Sequence, residues 1–175
     1  ILILLLIIKS FLFSQLLHPE NGAYETTVHI LFEWKQIPSA NAYNLQVYSN
    51  NNGEINEFIN VQEQSTVYID TQNLEWNETY YWKVQPVYNT DIGNWTEPSS
   101  FTIGQQRLVN LDLDTFNPDL VQDGVIVYSQ FQPYFIVGAI DKYGREVWNT
   151  DSAYMNHIDE FGQMYGIVND GNISS

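Results

Sequence analysis

The sequence contains no cysteine, only three histidines, and six lysines and arginines against 21 aspartates and glutamates. The absence of cysteine excludes disulfides and zinc sites built from thiolates. Because the formal net charge is −15, nucleic acids and anionic membrane surfaces are repelled, and neither is expected as a partner. The acidity is typical of a well-solvated surface, and cation binding is the functional alternative.

Helical periodicity is also missing, because no segment of useful length repeats apolar residues every 3.6 positions. Alternating apolar and polar residues recur instead, in short runs separated by clusters of Asn, Gly, Pro and Ser. Aromatic residues make up 15% of the chain, which supplies enough apolar area for a β core and argues against global disorder. The sequence therefore predicts an all-β fold.

A long apolar run occurs only at the start of the chain, where Lys9-Ser10 separates Ile1–Ile8 from Phe11–Phe13. A transmembrane helix needs about 20 apolar residues, so no stable membrane span is expected. The run is typical of the apolar part of a signal peptide, with Ser14-Gln15 near the cleavage point, and a buried strand is the alternative. We interpret residues 1–17 as a signal-peptide remnant, which predicts a secreted, periplasmic or cell-surface protein.

Residues 22–104 predict about seven short strands, which is the size and rhythm of a β-sandwich. The predicted inward faces are formed by alternating residues of three strands: Val28, Ile30, Phe32 and Trp34; Tyr43, Leu45 and Val47; Tyr80, Trp82 and Val84. Asn50–Gly53 predicts a tight turn, because Asn and Gly tolerate positive φ. Gly104–Gln106 is interpreted as a linker.

Leu74 and Tyr80 lie six residues apart across a short polar turn, which is the layout of a tyrosine corner. With Trp34 and the segment Trp95-Thr96-Glu97-Pro98-Ser99, this layout makes residues 22–104 resemble a fibronectin type III domain. The resemblance implies an immunoglobulin-like sandwich that serves as an accessory or binding module. Trp76 departs from the family, which often has proline there.

Residues 107–175 predict a second β segment, with strands at Val125–Tyr128, Tyr134–Ile140, Arg145–Trp148 and Gly162–Val168. Asp141-Lys142-Tyr143-Gly144 predicts a hairpin turn. The stretch Ile136–Trp148 resembles a β-propeller blade hairpin, in particular the first blade of arylsulfotransferase-type proteins, and quinoprotein-like blades share much of it. One blade takes about 40–50 residues and a propeller has four or more. The segment is therefore interpreted as an incomplete propeller with its first blade or blades truncated, and the chain as a fragment.

The resemblance implies a parent protein that passes sulfate from a phenolic sulfate ester to a phenol through a histidine nucleophile beyond this fragment. The fragment alone is predicted to be inactive. The alternative is a non-catalytic secreted adhesion or glycan-binding protein, whose partners are extracellular glycans or proteins.

Individual side chains give weaker signals of chemistry. His18 lies near the processing point and His29 on a predicted strand. His157 lies in a predicted loop, Tyr154–Glu160, matches no family motif, and is interpreted as a surface histidine, with a catalytic role as the alternative. Arg145 is interpreted as a solvated surface charge. Asp112 and Asp114 lack the Gly and the distal Glu of an EF-hand loop and are interpreted as surface carboxylates rather than Ca²⁺ ligands. Trp76 and Trp95 are candidates for stacking on sugars, with core or rim packing as the alternative. No catalytic, cofactor-binding or metal-binding residue is assigned, and no cofactor is expected.

Overall fold

The computed structural model describes residues 15–108, 117, 120, 123–130, 135–151 and 153–168. Within these ranges the regular structure consists of strands, which confirms the all-β prediction. They are β1 (Leu16–His18), β2 (Ala23–Glu25), β3 (Ile30–Trp34), β4 (Ala42–Asn51), β5 (Glu54–Glu63), β6 (Val67–Asp70), β7 (Thr79–Val87), β8 (Ser99–Ile103), β9 (Val125–Gln130), β10 (Ile136–Asp141), β11 (Glu146–Asp151), β12 (Ala153–Ile158) and β13 (Met164–Val168). Among the described residues, no helix reaches the length and hydrophobicity that a membrane crossing requires.

Strands β1 to β8 form two sheets, which together we call the first unit. One sheet has three strands in the order β1-β3-β6, and the other has five in the order β2-β8-β7-β4-β5. The pairing of β2 with β8 is parallel, whereas the other ladders of this unit are antiparallel. The predicted sandwich is therefore present.

Aromatic rings fill the space between these two sheets. Ile30, Phe32 and Trp34 face inward from β3, as the alternation predicts, and each is at most 1% exposed. Phe32 meets Trp82 edge to face across the sandwich, with ring centroids 5.2 Å apart, and lies 5.8 Å from Phe101. Full burial of a side chain of this size contributes roughly 1.5–3 kcal/mol, so this aromatic cluster is a main source of the unit's stability.

Two tyrosine hydroxyls hold connections between strands. The hydroxyl of the buried Tyr80 accepts a hydrogen bond from the Glu75 N–H at 3.0 Å, which confirms the tyrosine corner. The hydroxyl of Tyr43 does the same for the β3–β4 connection, where it accepts from the Ile37 N–H at 2.9 Å. The sequence carried no signal for this second contact.

The first unit begins earlier than residue 22, which corrects the predicted boundary of the signal-peptide remnant at residue 17. Leu16 pairs with Trp34 in the β1–β3 ladder, and its side chain is 5% exposed within the core. The Lys35 N–H donates to the Gln15 carbonyl at 2.8 Å. Leu16 is therefore a core residue of a sandwich strand, whereas Leu17, on the same strand, is exposed. Residues 1–14 lie outside the described residues.

Strands β9 to β13 form what we call the second unit. Strands β9, β10 and β11 are an antiparallel meander, and β12 pairs with β13. The predicted turn at Asp141–Gly144 joins β10 to β11: Gly144 has a φ of 79°, and Asp141 Oδ1 accepts from the Tyr143 and Arg145 N–H groups at 2.9 Å. Glycine adopts this positive φ without steric cost. The described residues do not close a propeller.

The predicted loop Tyr154–Glu160 is mostly strand β12, which corrects the placement of His157. His157 pairs with Tyr165 of β13, and the ladder shifts register between Met155 and His157. That irregularity breaks the period-2 pattern that sequence analysis relies on, which is why the strand was missed. Met155 also donates its N–H to Ser129 Oγ at 3.0 Å, which attaches β12 to β9.

Candidate functional site

The two units meet along a short antiparallel ladder between residues 26–28 and 147–149. Thr27 and Trp148 form an isolated antiparallel bridge. The Val28 N–H donates to the Val147 carbonyl and the Asn149 N–H to the Thr26 carbonyl, each at 3.0 Å. Thr27 Oγ1 adds a 2.8 Å hydrogen bond to the Val147 carbonyl. Strand β11 of the second unit is therefore hydrogen-bonded to the first unit at residues 26–28.

A buried carboxylate lies at the centre of this junction. Glu146 is 2% exposed, and its Oε2 accepts from the Arg107 and Leu108 N–H groups at 2.8 and 2.6 Å. Its Oε1 accepts from the Tyr128 hydroxyl at 3.2 Å. Burial first, and then the neighbouring carboxylate, raise the pKa of Tyr128 well above its usual value, so the hydroxyl stays a donor. With both oxygens occupied, Glu146 is suited to holding the junction rather than to general base catalysis.

The predicted linker is fixed by the same junction. The Gly104 N–H donates to the Glu25 carbonyl at 2.8 Å, and the Gln105 carbonyl accepts from Asn149 Nδ2 at 3.0 Å. Arg107 forms an ion pair with Asp151 of β11. The segment that enters the second unit is therefore held on both sides and does not act as a free tether.

Trp76 lines a cleft of about 520 Å³ beside the junction, with Val28, Leu74, Leu108 and Arg145 among the other lining residues. The indole N–H donates to the Glu146 carbonyl oxygen at 3.0 Å. Trp76 is thus a contact between the units, which supports packing rather than free exposure as its main role. A tryptophan at this position of the corner loop lets the loop bind the second unit.

Charged groups near the cleft are paired among themselves. Arg145 is more than half exposed, as predicted for a surface charge, and its guanidinium bonds Asp141 at 2.7 Å. Burial disfavours the charged form of Asp141, but hydrogen bonds from the Arg145 amide and guanidinium and the Tyr143 amide outweigh it and lower the pKa. Burial also lowers the pKa of His29, with Asp141 opposing this shift and Arg145 adding to it.

The three histidines are not brought together: His18 lies on β1 and His157 on β12, whereas His29, predicted on a strand, lies in a bend just before β3. His18 Nε2 of β1 is 3.8 Å from Glu25 Oε1, His29 lies beside the junction ladder, and the exposed His157 stacks on Tyr165 with centroids 6.1 Å apart. The part of the chain that the structure describes contains no group of three or more His, Cys, Asp or Glu residues placed to hold a metal ion. Asp112 and Asp114 lie outside the described residues.

A second surface with ligand-binding potential is aromatic. Tyr48 and Tyr81 stack on the outer face of the five-stranded sheet, with centroids 5.6 Å apart and planes 21° apart. Lys83 Nζ lies 5.5 Å from the Tyr48 ring centroid and 4.7 Å from that of Trp95. Trp95 remains 37% exposed. Of the two tryptophans considered for sugar stacking, Trp95 is therefore the one on an open face.

Residues 22–107 match the family model described as the Rha78A-like, N-terminal immunoglobulin domain. This segment is an immunoglobulin-like domain. It corresponds to the predicted sandwich and to most of the first unit. The match ends at Arg107, whose N–H binds Glu146, and so leaves β9 to β13 outside it.

Two solved structures are similar to the chain at low identity. The fibronectin type III domain derived from the human KIAA0970 protein is 15% identical, with a TM-score of 0.39, and the match covers 61% of this chain and 85% of that one. The chicken CNTN1 FN1–FN3 domains are 12% identical, with a TM-score of 0.43, and the match covers 90% of this chain and 51% of that one. No curated protein matches the sequence.

The sequence predicts the aromatic residues of the sandwich but not the contacts of the junction. Glu146 and Tyr128 belong to different strands, 18 residues apart, and Glu146 binds main-chain groups of residues 107 and 108. Main-chain donors leave no residue-type signature, so a local pattern does not predict this carboxylate's partners.

Proposed function

We propose that this chain belongs to an exported arylsulfotransferase-like protein in which the immunoglobulin-like domain precedes the first blade of a β-propeller. The 136–148 hairpin that carries the resemblance is formed by β10 and β11. Together with β9 it makes a three-stranded antiparallel meander, and a propeller blade is a four-stranded antiparallel sheet.

The observation that carries this proposal is the exposure of apolar side chains on the second unit. Val125 and Ile126 of β9 and Ile167 and Val168 of β13 are each more than half exposed. Clusters of exposed apolar residues mark surfaces that pack against something else. In a propeller, these strands would pack against neighbouring blades, which supports further blades as their covering.

The proposed reaction transfers a sulfuryl group in two steps. A neutral imidazole nitrogen forms a bond to sulfur while the bond from sulfur to the donor oxygen breaks, and the donor leaves with that electron pair as a phenolate. An acceptor phenol oxygen then attacks sulfur, the nitrogen–sulfur bond breaks, and the acceptor's proton is released. Since His18, His29 and His157 lie apart, we assign the nucleophile to blades outside this chain. The immunoglobulin-like domain is the accessory part.

The test is an assay of the whole protein with para-nitrophenyl sulfate as donor and phenol as acceptor. We expect coupled release of nitrophenolate and formation of phenyl sulfate by the whole protein, and neither product from residues 1–175 alone. A whole protein that makes no phenyl sulfate, or a gene whose continuation encodes no further blade repeats, would overturn the proposal.

A second candidate function is a secreted adhesion or glycan-binding protein, with no catalysis in the second unit. The observation that favours it is the open aromatic surface formed by Tyr48, Tyr81 and Trp95. Both candidates place the protein outside the cytoplasm, in the periplasm, at the cell surface or secreted. Retention of the protein in the cytoplasm, measured by fractionation, would count against both.

A further inference from the structure

The outer face of the five-stranded sheet arranges polar and aromatic side chains in three cross-strand rows. The ladders β5–β4 and β4–β7 place the members of each row opposite one another. The rows are Gln62-Asn44-Gln85, Asn60-Gln46-Lys83 and Glu57-Tyr48-Tyr81. We call these nine residues, with Trp95, the amide–aromatic face. At about 3.3 Å per residue, the three rows span about 13 Å along β4.

Hydrogen bonds fix the amide groups of this face. Gln62 Nε2 donates to Asn44 Oδ1 at 2.9 Å, Asn44 Nδ2 to Gln85 Oε1 at 3.0 Å, and Gln85 Nε2 to the Gly93 carbonyl at 3.0 Å. In the next row, Gln46 and Asn60 both donate to the Glu57 carboxylate. A primary amide has two N–H hydrogens, so each of these side chains is oriented yet keeps a donor for a ligand.

Backbone hydrogen bonds hold Trp95 beside these rows. The Gly93 N–H donates to the Pro86 carbonyl and the Thr96 N–H to the Val84 carbonyl, each at 2.9 Å. Thr96 Oγ1 also accepts from the Val84 N–H at 3.1 Å. The segment carrying Trp95 therefore runs along β7, and the lysine ammonium between Trp95 and Tyr48 helps to order both rings.

The charge of this face restricts what it can bind. Its ten residues include one cation, Lys83, and one anion, Glu57, so the face has no net charge in a chain whose formal charge is −15. An anionic polymer would find only one cation on this face, Lys83, which already interacts with two aromatic rings. The negative charge of the rest of the chain would also repel such a polymer. A cationic partner would find more negative charge elsewhere on the surface. An uncharged ligand rich in hydroxyl groups complements both the amides and the rings.

We propose that the amide–aromatic face binds an uncharged oligosaccharide, with sugar rings packed on Tyr81 and Trp95 and sugar hydroxyls paired with the fixed amides. The apolar C–H faces of a sugar ring match the faces of aromatic side chains, and its hydroxyls both donate and accept, as amides do. This inference rests on the second candidate function and names its site and its ligand class. It is independent of sulfate transfer.

The test is calorimetric titration of the full 175-residue chain with cellohexaose, xylohexaose and mannohexaose, and with a heparin hexasaccharide as the anionic comparison. We expect at least one neutral hexasaccharide to bind and heparin not to bind. Trp95→Ala and Tyr81→Ala should each weaken that binding about tenfold or more, as the loss of an aromatic anchor does. Tyr143→Ala removes an exposed tyrosine from the second unit and should bind like the wild type. Thermal melts establish that each variant is folded.

The outcomes separate the site from the function. Neutral binding that persists in both Trp95→Ala and Tyr81→Ala overturns the site but leaves glycan binding as a function. Binding of heparin in preference to the neutral chains overturns the ligand class. The absence of any neutral binding overturns this inference together with the second candidate function, while the sulfate-transfer proposal stands or falls on its own assay.

Discussion

The indole N–H of Trp76 donates to the main-chain carbonyl of Glu146, 70 residues further along the chain, at 3.0 Å. The preceding residue, Glu75, donates its N–H to the Tyr80 hydroxyl. One short loop therefore closes the corner of the immunoglobulin-like domain and binds the second unit. The two contacts are made by adjacent residues of the chain.

Replacing Trp76 by Phe should loosen the junction without unfolding the sandwich. The variant keeps an aromatic ring but loses a hydrogen bond worth about 1 kcal/mol. We expect faster hydrogen exchange at the Val28 and Asn149 amides, which bridge the two units, and unchanged exchange in β7. Trp95→Phe is the matched control, because its ring lies on the open sheet face. Equal exchange in wild type and Trp76→Phe would show that the bond does not stabilise the junction.

Replacing Glu146 by Ala should be far more disruptive than replacing it by Gln. Alanine leaves two main-chain N–H groups and the Tyr128 hydroxyl without their acceptor, which at about 1 kcal/mol or more for each group costs about 3 kcal/mol or more in total. Glutamine keeps one oxygen for the main-chain groups and an N–H₂ that donates to the Tyr128 oxygen. Urea denaturation followed by tryptophan fluorescence measures the difference. Similar losses in both variants would mean that the negative charge, rather than acceptor geometry, stabilises the junction.

Removing the Tyr80 hydroxyl should destabilise the immunoglobulin-like domain by about 1 kcal/mol, because the hydrogen bond that the Glu75 N–H donates to it is lost. Tyr80→Phe leaves the ring that packs on Phe101 with centroids 5.6 Å apart. Tyr81→Phe is the control, since Tyr81 lies on the opposite face of the same strand. Chemical denaturation should show a lower midpoint for Tyr80→Phe alone. Equal midpoints for the two variants would mean that the hydrogen bond of the Tyr80 corner does not stabilise the domain.

The pH dependence of stability should include a contribution from His29. Burial lowers the pKa of His29 below its ordinary value of 6.5, against the opposing effects of Asp141 and Asp70 and with the help of Arg145. The unfolded chain therefore binds a proton at higher pH than the folded chain, and stability falls as the pH drops below about 6.5. Above that pH both states are neutral at this residue and the contribution vanishes.

His29→Gln tests this contribution through the difference in denaturation midpoint between about pH 8 and about pH 5.5. We expect a smaller difference in the variant than in the wild type. His157→Gln removes an exposed histidine of β12 and should retain the wild-type difference. An unchanged difference in His29→Gln would mean that this histidine does not contribute to acid sensitivity.

The sequence predicts those parts of the fold that depend on local patterns, namely alternation, short spacings and turn residues. Alternation places Phe32 and Trp82 inward, the Leu74–Tyr80 spacing predicts the corner, and Asn52 and Gly53 take the positive φ angles of 54° and 96° that the turn requires. Strand β5 is formed too, although it begins at Glu54, earlier than its apolar residues indicate. These features depend on neighbours within a few residues.

The features that escaped prediction depend on distant partners. The apolar Leu16 fits both a signal peptide and a buried strand, and only its pairing with Trp34 of β3 distinguishes the two. The residues around His157 predict a loop because a register shift interrupts the alternation of β12. Glu146 binds main-chain donors, which no residue pattern reveals. Of the candidate binding residues, Trp95 was recognised, but the amide rows beside it appear only once three strands are aligned.

The parallel pairing of β2 with β8 has a mechanical consequence. Ala23, Tyr24 and Glu25 lie beside Phe101, Thr102 and Ile103 and run in the same direction. Tension applied between the two ends of the immunoglobulin-like domain pulls these neighbours in opposite senses along their common axis. The hydrogen bonds between them are then stretched together rather than opened one after another. The domain is thus built to resist extension where β2 and its last strand, β8, lie side by side.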